Sequence, residues 1–368
     1  MFVKAIRLKQ YRNIATGQLE PGRYLTILHG NNGQGKTNLL EAVYLLGTAR
    51  TFRAAKVTDL VQHEATSALV QGTVETAGLT SSISHQLETN GVRRVSVDGK
   101  TAHRASDLYG RLAAVVFSPD DTAMVKLGPD IRRRYLDRSL YMSEQGFLKE
   151  YHNYYRTLKQ RNALLKSGQL DDLDLWTEQL ATAGVRLMEH RQRYVLTLNS
   201  LLQNKYGILA GEQEQVSLQY RPDCGAEAAR DPAAFITLLQ QQTDQDLRYK
   251  TTGRGPHRDD LVFYIQGRLL KGFGSQGQQR SFVLALKLAE MEHLRQTFSE
   301  MPILLLDDIA SELDRKRISN LLQYVREQEA QVIITTTDVA PFAAVLEDDS
   351  KRCCIEEGRL TYEGNGKP

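Results

Sequence analysis

The sequence predicts an α/β protein with a parallel or mixed sheet, interrupted along the chain by an inserted helical domain. Three observations predict it. Residues 29 to 38, HGNNGQGKTN, lie between the apolar run YLTIL and the helical NLLEAVYLLG, so strand, glycine loop and helix follow one another. Strand and helix signals alternate again after residue 251. Between these ends, from about 129 to 210, proline is almost absent and apolar residues recur at helical spacing.

Taken in order, FVKAIRL and YLTIL read as strands leading to the glycine loop. ALVQGTVET, SISHQLET and VRRVSVDG, within residues 68 to 98, alternate in polarity between Gly and Asn turns and predict an antiparallel meander. AAVVFSP is a buried strand ending at a proline. Phe147, Tyr151, Tyr154, Leu158, Leu164 and Leu165 form one helical stripe; Leu175, Leu180, Ala183, Leu187, Tyr194, Leu198 and Leu201 form a second, with SGQLDD as the turn between. Two antiparallel helices in a short arm are the simple reading, and a plain helical bundle is the alternative. Then LVFYIQG reads as a strand, residues 278–298 as a helix, PILLLDD as a buried strand, 314–327 as a helix, QVIITT as a strand, and a hairpin closes the fold before a fraying EGNGKP tail. The domains expected are 1–128 and 251–368, two parts of one α/β head, and 129–250, a helical arm.

Composition bounds the function. At 368 residues with 41% hydrophobic and 25% charged residues, the chain has the make-up of an ordinary globular protein of two or three domains. A net charge of +3 neither demands nor excludes a polyanionic partner. The start shows no secretory pattern, and no run of 18 apolar residues exists, so neither export nor a membrane span is expected. Cys224, Cys353 and Cys354 lack the number and spacing of a disulfide framework or a zinc site, which makes a cytoplasmic location the expectation.

Gly30-Asn31-Asn32-Gly33-Gln34-Gly35-Lys36-Thr37, followed by Asn38, satisfies the P-loop pattern GxxxxGK[ST]. Glycines let successive N–H groups turn inward as an anion nest, and a helix starting near Lys36 aims its positive end at phosphate. By this pattern Lys36 meets the β- and γ-phosphates of ATP and Thr37 ligates Mg²⁺. A metal partner is supplied by ILLLDD, a buried strand with two acids at its end: Asp307 for Mg²⁺ and Asp308 to polarise the attacking water. Aspartate is one methylene shorter than the glutamate common there, which predicts slow turnover. FGSQGQQR precedes a helix; a lone Ser-x-Gly is more often a plain N-cap, but beside a P-loop and the acid strand Ser275 with the Gly277 amide reads as a second anion site. One phosphate group needs one cradle, so two suggest ATP held between two subunits.

In order, the P-loop, SxGQQ, the apolar strand plus DD, and SELD at 311 to 314 resemble the ABC-type ATPases of the SMC/Rad50 group. SPDDTAMVKLGPDIRRRYLD and LLLDDIASELDRKRISNLL, with GPHRDDL and FRAAKVTDLV, resemble the RecF family of bacterial recombination mediators over residues 1 to about 360. The resemblance implies an ATP-dependent homodimer with weak DNA-stimulated ATPase activity. It would bind duplex, gapped and single-strand/duplex junction DNA and help RecR, and RecO, load the recombinase during replication, repair and the SOS response. It also implies that Gly30 to Asn38 hold the nucleotide, that Ser275, Gly277 and Gln278 reach the partner's γ-phosphate, and that Ser311 to Asp314 line the seam. Arg53 and His257 are candidate nucleotide-side or communication residues. Two departures stand out: Thr337 occupies the place of the usual histidine, and no glutamine-bearing loop is evident unless SPDD replaces it.

Lys4, Arg7, Arg12, Lys56, Arg93, Arg94 and Arg132 to Arg134 are candidate phosphate contacts, with solvated faces or pairing to Asp130 and Asp137 as the bland reading. Tyr154, Tyr155 and Trp176 are expected to pack. No base-reading motif is present, which favours recognition of DNA structure over sequence. The rivals are the nucleotide-binding subunit of an ABC transporter, a long-armed SMC or Rad50 protein, for which hundreds of coiled-coil residues are missing, and an ATP-switched DNA clamp without significant turnover.

Overall fold

A computed structural model describes residues 1–53, 56–103, 107–211, 213–345 and 350–363. Ala54 and Ala55 of the FRAAKVTDLV string and the tail Gly364–Pro368 lie outside the described residues. The chain divides into two compact units, one of Met1–Thr122, Asn204–Gln213 and Gln276–Pro368 and one of Ala123–Gln203 and Glu214–Ser275.

Unit 1 holds two sheets. The antiparallel one contains β1 (Phe2–Tyr11), β2 (Ile14–Leu19), β4 (Ser67–Thr76), β5 (Leu79–Glu88), β6 (Arg93–Val97) and β7 (Lys100–Thr101), in the order β2-β1-β4-β5-β6-β7. Alternation of polarity in β4 matches its burial pattern, every second residue facing the core. The other sheet runs β15-β14-β3-β13-β12-β8, formed by β3 (Leu25–His29), β8 (Ala114–Phe117), β12 (Ile303–Leu306), β13 (Val332–Thr336), β14 (Lys351–Glu356) and β15 (Arg359–Glu363). All neighbours pair in parallel except β15, the antiparallel edge. Strands β3, β13, β12 and β8 are buried almost throughout, and β12 and β8 are continuous apolar runs, as burial on both faces requires.

Helix α1 (Lys36–Thr48) touches β1, β4 and β5 of one sheet and β8 and β13 of the other. That explains a composition apolar almost all round: Leu39 to Leu46 are all buried. Gly72 of β4 makes the approach possible, because a Cβ there would stand 2.4 Å from Leu46 Cδ1. Helix α9 (Gln276–Phe298) is buried along most of its length, while α10 (Ile309–Glu312) and α11 (Arg315–Glu327) follow the acid strand.

Unit 2 contains α2 (Ala123–Lys126), α3 (Pro129–Ser143), α4 (Phe147–Ser167), most of α5 (Leu173–Ala210), β9 (Val216–Arg221), α6 (Pro232–Gln241), α7 (Thr243–Tyr249), β10 (Asp260–Ile265), β11 (Arg268–Leu269) and α8 (Leu270–Phe273). The two stripes read from the sequence bury Phe147, Tyr154, Leu158, Leu180, Leu187, Tyr194 and Leu198. Leu175 does not follow its stripe: it is 52% exposed, because it lies in the first turn of α5 while Leu173 turns inward. LVFYIQG was expected to rejoin the head. Instead β10 pairs antiparallel with β9, a strand the reading did not foresee, in a small β11-β10-β9 sheet within unit 2.

The strings RRRYLD and GPHRDDL meet inside this unit. Buried Arg191 donates to both oxygens of Asp137 at 2.8 and 3.0 Å, to Asp259 Oδ2 at 3.0 Å and to the Pro256 carbonyl at 2.6 Å. Arg132 makes a two-pronged contact with Asp260 at 2.7 and 3.0 Å and caps the carbonyls of Met124 and Leu127. Paired and fully hydrogen-bonded, these charges fix how α3, α5 and β10 meet.

Candidate ATP site

The P-loop starts where β3 delivers Gly30 at the carboxyl edge of the sheet, between β14 and β13. Gly30, Gly33 and Gly35 have φ of 142°, 80° and 113°, values open to glycine and costly for other residues. Gly30 and Gly35 are also sterically required. A Cβ would stand 2.3 Å from the Ile355 carbonyl oxygen at the first and 2.7 Å from Asn13 Oδ1 at the second. Gly35 is the N-cap of α1, with no side chain closing the helix end, so the N–H groups of the first turn are available to an anion.

Lys36 folds back over the loop, donating from Nζ to the carbonyls of Gly30 at 2.7 Å and Asn31 at 2.8 Å. Burial lowers its ammonium pKa from the ordinary value, and the nearby Asp308 and Asp307 carboxylates oppose that shift. Asn31, Asn32 and Gly33 are exposed at the loop tip. Gln34 turns towards β14 and β15, and Asn38 donates to Asn13 Oδ1 at 2.8 Å and accepts from Arg53.

One helix and two strands converge on Asp307. Thr37 Oγ1 donates to its Oδ1 at 2.8 Å, and Thr335 Oγ1, at the end of β13, donates to the same oxygen at 2.7 Å. Asp307 N–H donates to Phe117 O at the end of β8. The Thr37 hydroxyl and the Asp307 carboxylate are hard oxygen donors, the type Mg²⁺ accepts alongside water and phosphate oxygens, and the pair fits that ion. Asp308 follows in the left-handed region (φ 48°, ψ 43°), its N–H held by Thr335 Oγ1 at 2.9 Å and its Oδ2 accepting from Ser311 Oγ at 2.8 Å. Such backbone geometry costs a non-glycine residue about 1 kcal/mol, and the two hydrogen bonds hold it there.

Behind α1, buried Glu41 accepts from Arg12 at 3.0 Å on each oxygen, from Arg53 at 2.9 Å and from Tyr11 at 3.2 Å. Burial pushes its carboxyl up, but the hydrogen bonds and charges of Arg53 and Arg12 outweigh this and leave it below the usual value. Arg53 therefore braces the helix that carries Lys36 and Thr37. His257 sits in unit 2, its Nε2 donating to Thr252 O at 3.0 Å and its Nδ1 bonded to Tyr154 Oη at 2.6 Å, with burial lowering its pKa.

Ser275 is exposed at the end of unit 2, and Gly277 and Gln278 are half-buried in the first turn of α9. In the SELD string Ser311 holds Asp308, Glu312 pairs with Arg280 at 2.8 Å, and Asp314 caps α11 through Arg317 N–H at 2.9 Å. Asp121 of SPDD is committed to Ser118 N–H at 2.8 Å and Lys287 at 3.2 Å. Thr337 is exposed, whereas Thr335, two residues earlier and not singled out in the sequence, binds both acids. Asn13, Glu41 and the 357–358 turn were also missed, and no motif marked them.

Of the basic residues proposed for DNA, Arg12 and Arg132 are engaged in ion pairs, Arg93 binds Ala49 O and His85, Arg133 pairs with Asp130, and the more exposed Lys4 and Arg94 pair with Glu75 and Glu88. Arg7, Lys56 and Arg134 are exposed.

A parallel sheet carrying a P-loop, a neighbouring strand ending in paired acids and an antiparallel lobe packed across the P-loop helix together define an ABC-type ATPase head of the SMC kind. The RecF/RecN/SMC N terminal domain family matches residues 2–351. The chain belongs to the RecF family. It is 64% identical, over the whole of both chains, to the DNA replication and repair protein RecF of Trichlorobacter lovleyi, and 48% identical over 92% of its length and 94% of the relative's to that of Geobacter metallireducens. Its fold matches a solved structure of the recombination mediator protein RecF-ATP in the RecFOR pathway, with a TM-score of 0.87 and 30% identity over 98% of this chain and 99% of that one.

Proposed function

We propose that the chain is an ATP-gated DNA-binding protein of replication and repair, working at duplex and gapped DNA and at single-strand/duplex junctions with RecR, and RecO, to help load recombinase, with a role in the SOS response. The observation that carries the nucleotide part is the Thr37–Asp307 contact beneath the P-loop, which pairs a helix N-terminus with a metal-binding donor set. Gly30 to Asn38 would hold ATP, and Thr37 with Asp307 would hold Mg²⁺, which when bound would offset phosphate charge. Lys36 neutralises charge at the loop. Asp308 orients and polarises water; its short side chain and its bond from Ser311 support slow hydrolysis.

Dimerisation rests on Ser275, Gly277 and Gln278, a second anion-binding helix start directed at the nucleotide of another copy. ATP should shift the purified chain from monomer towards dimer in light scattering, and Ser275→Arg should block the shift while ATP binding persists. An unaltered dimer in that variant overturns the two-cradle reading. The clamp reading predicts that Asp308→Asn leaves turnover unchanged while Lys36→Met abolishes DNA binding. ATPase rates without DNA and with single strands, duplex and gapped duplex test the DNA part. The transporter reading is dropped, since the full-length relatives described above are replication and repair proteins.

A further inference from the structure

The last hairpin of unit 1 reaches the P-loop. Strands β14 and β15 are joined by Glu357 and Gly358, with φ of 47° and 77°, and Glu356 pairs with Arg359 across the turn. Positive φ at both central residues is the geometry of a two-residue type I′ hairpin. In such a turn the two central N–H groups point out of the ladder and need acceptors elsewhere. Both acceptors come from one residue. Glu357 N–H donates to Gln34 Oε1 at 2.6 Å, and Gly358 N–H donates to the Gln34 main-chain carbonyl at 3.0 Å.

The second bond sets a dihedral that matters. In a planar trans peptide the C=O and the following N–H point in opposite directions. With the Gln34 carbonyl drawn to Gly358, the Gly35 N–H is turned to the face of the loop away from the hairpin. Crowding keeps the contact in register. A Cβ at Gly30 would stand 2.3 Å from Ile355 O, so Gly30 lets β14 close on the loop, and a Cβ at Gly358 would stand 2.3 Å from Asn13 O, so Gly358 lets the turn pass the β1–β2 connection. Asn13 in turn fills the space that Gly35 leaves.

The geometry points to the Glu357–Gly358 turn as a positioning element for ATP binding: by satisfying both oxygens of Gln34 it presents the Gly35 amide to a phosphate oxygen. This rests on the reading of the P-loop as an ATP site. It assigns Gln34 a bracing role through its side chain, with its ligand contribution made by the backbone. It also gives the terminal hairpin, some 320 residues from the loop, a part in nucleotide affinity.

The test measures ATP affinity with a fluorescent ATP analogue, steady-state ATPase kinetics and thermal melting, all on the full chain. Gln34→Met keeps length and removes the acceptor, and should raise the Kd about three- to tenfold, as loss of one neutral hydrogen bond implies. Gln34→Glu, which keeps an acceptor oxygen, should recover part of that loss. Gly358→Ala should raise KM for ATP by at least the same factor with kcat within about twofold, whereas partial unfolding would lower kcat and leave KM unchanged. Unchanged ATP affinity in both Gln34→Met and Gly358→Ala, with the unsubstituted chain binding ATP, overturns the proposal. If the unsubstituted chain binds no ATP, the nucleotide reading itself fails and the proposal falls with it.

Discussion

Thr37 Oγ1 lies 2.8 Å from Asp307 Oδ1, and the two residues are 270 positions apart in the chain. The P-loop helix and the acid strand can meet only because β13 lies between β3 and β12 and places Thr335 against the same oxygen. Asp307→Asn keeps the volume and removes the charge that would hold Mg²⁺. We expect Mg²⁺-dependent ATPase activity to fall at least about a hundredfold, with the melting temperature little changed. Steady-state kinetics across a Mg²⁺ titration check it, and activity within threefold of the parent contradicts the assigned metal site.

Glu41, on α1, pairs with both Arg12 and Arg53. Glu41→Gln leaves two guanidinium groups short of charge in a buried setting and should cost about 3 kcal/mol of stability. The pH dependence has a definite sign. Its folded pKa lies below the unfolded value, so the stabilisation is complete above the unfolded value, near 4.3, and is lost as pH falls through the folded one. Denaturant melts from pH 7 to pH 3 should therefore show an acid limb that flattens in the Glu41→Gln variant.

His85 produces acid sensitivity at higher pH. Fully buried, it donates from Nε2 to Leu46 O at 3.2 Å and accepts at Nδ1 from Arg93 at 3.2 Å, an arrangement that requires the neutral ring. Burial and the Arg93 charge push its pKa down to about 4. The unfolded chain takes up that proton near pH 6.5, so stability should decline as pH drops from about 6.5 towards 4, by up to about 3 kcal/mol. His85→Gln retains a donor for Leu46 and should remove this decline. A parent chain equally stable at pH 6.5 and pH 4.5 would contradict it.

Much of this fold was legible. The GxxxxGK[ST] string, the ILLLDD run and the meander are local patterns whose period or spacing follows from backbone geometry, and each appears where expected. What escaped the reading depends on distant pairing. No pattern in VSLQYR announces that it will pair with DLVFYI across some forty residues, and nothing in EEGR reveals that its turn amides bind Gln34. Charged strings were the least informative. RRR reads the same whether its members face DNA or neutralise Asp260, and only the tertiary contact at Arg132 separates the two.

Arg132 and Arg134 therefore should behave differently, although they stand two residues apart. Arg132 is buried against Asp260 and two carbonyls, and Arg134 is exposed on the same helix. Arg132→Ala leaves Asp260 unpaired and should lower the stability of unit 2 by about 3 kcal/mol, while the slope of log K for duplex DNA against log salt stays as in the parent. Arg134→Ala should leave melting unchanged and reduce that slope by about 0.9, the release expected from one phosphate contact. Fluorescence anisotropy with a gapped duplex at four or five salt concentrations, alongside melting curves, separates the two outcomes. A changed slope for Arg132→Ala at unchanged stability would reverse the assignment and put the buried arginine on the DNA.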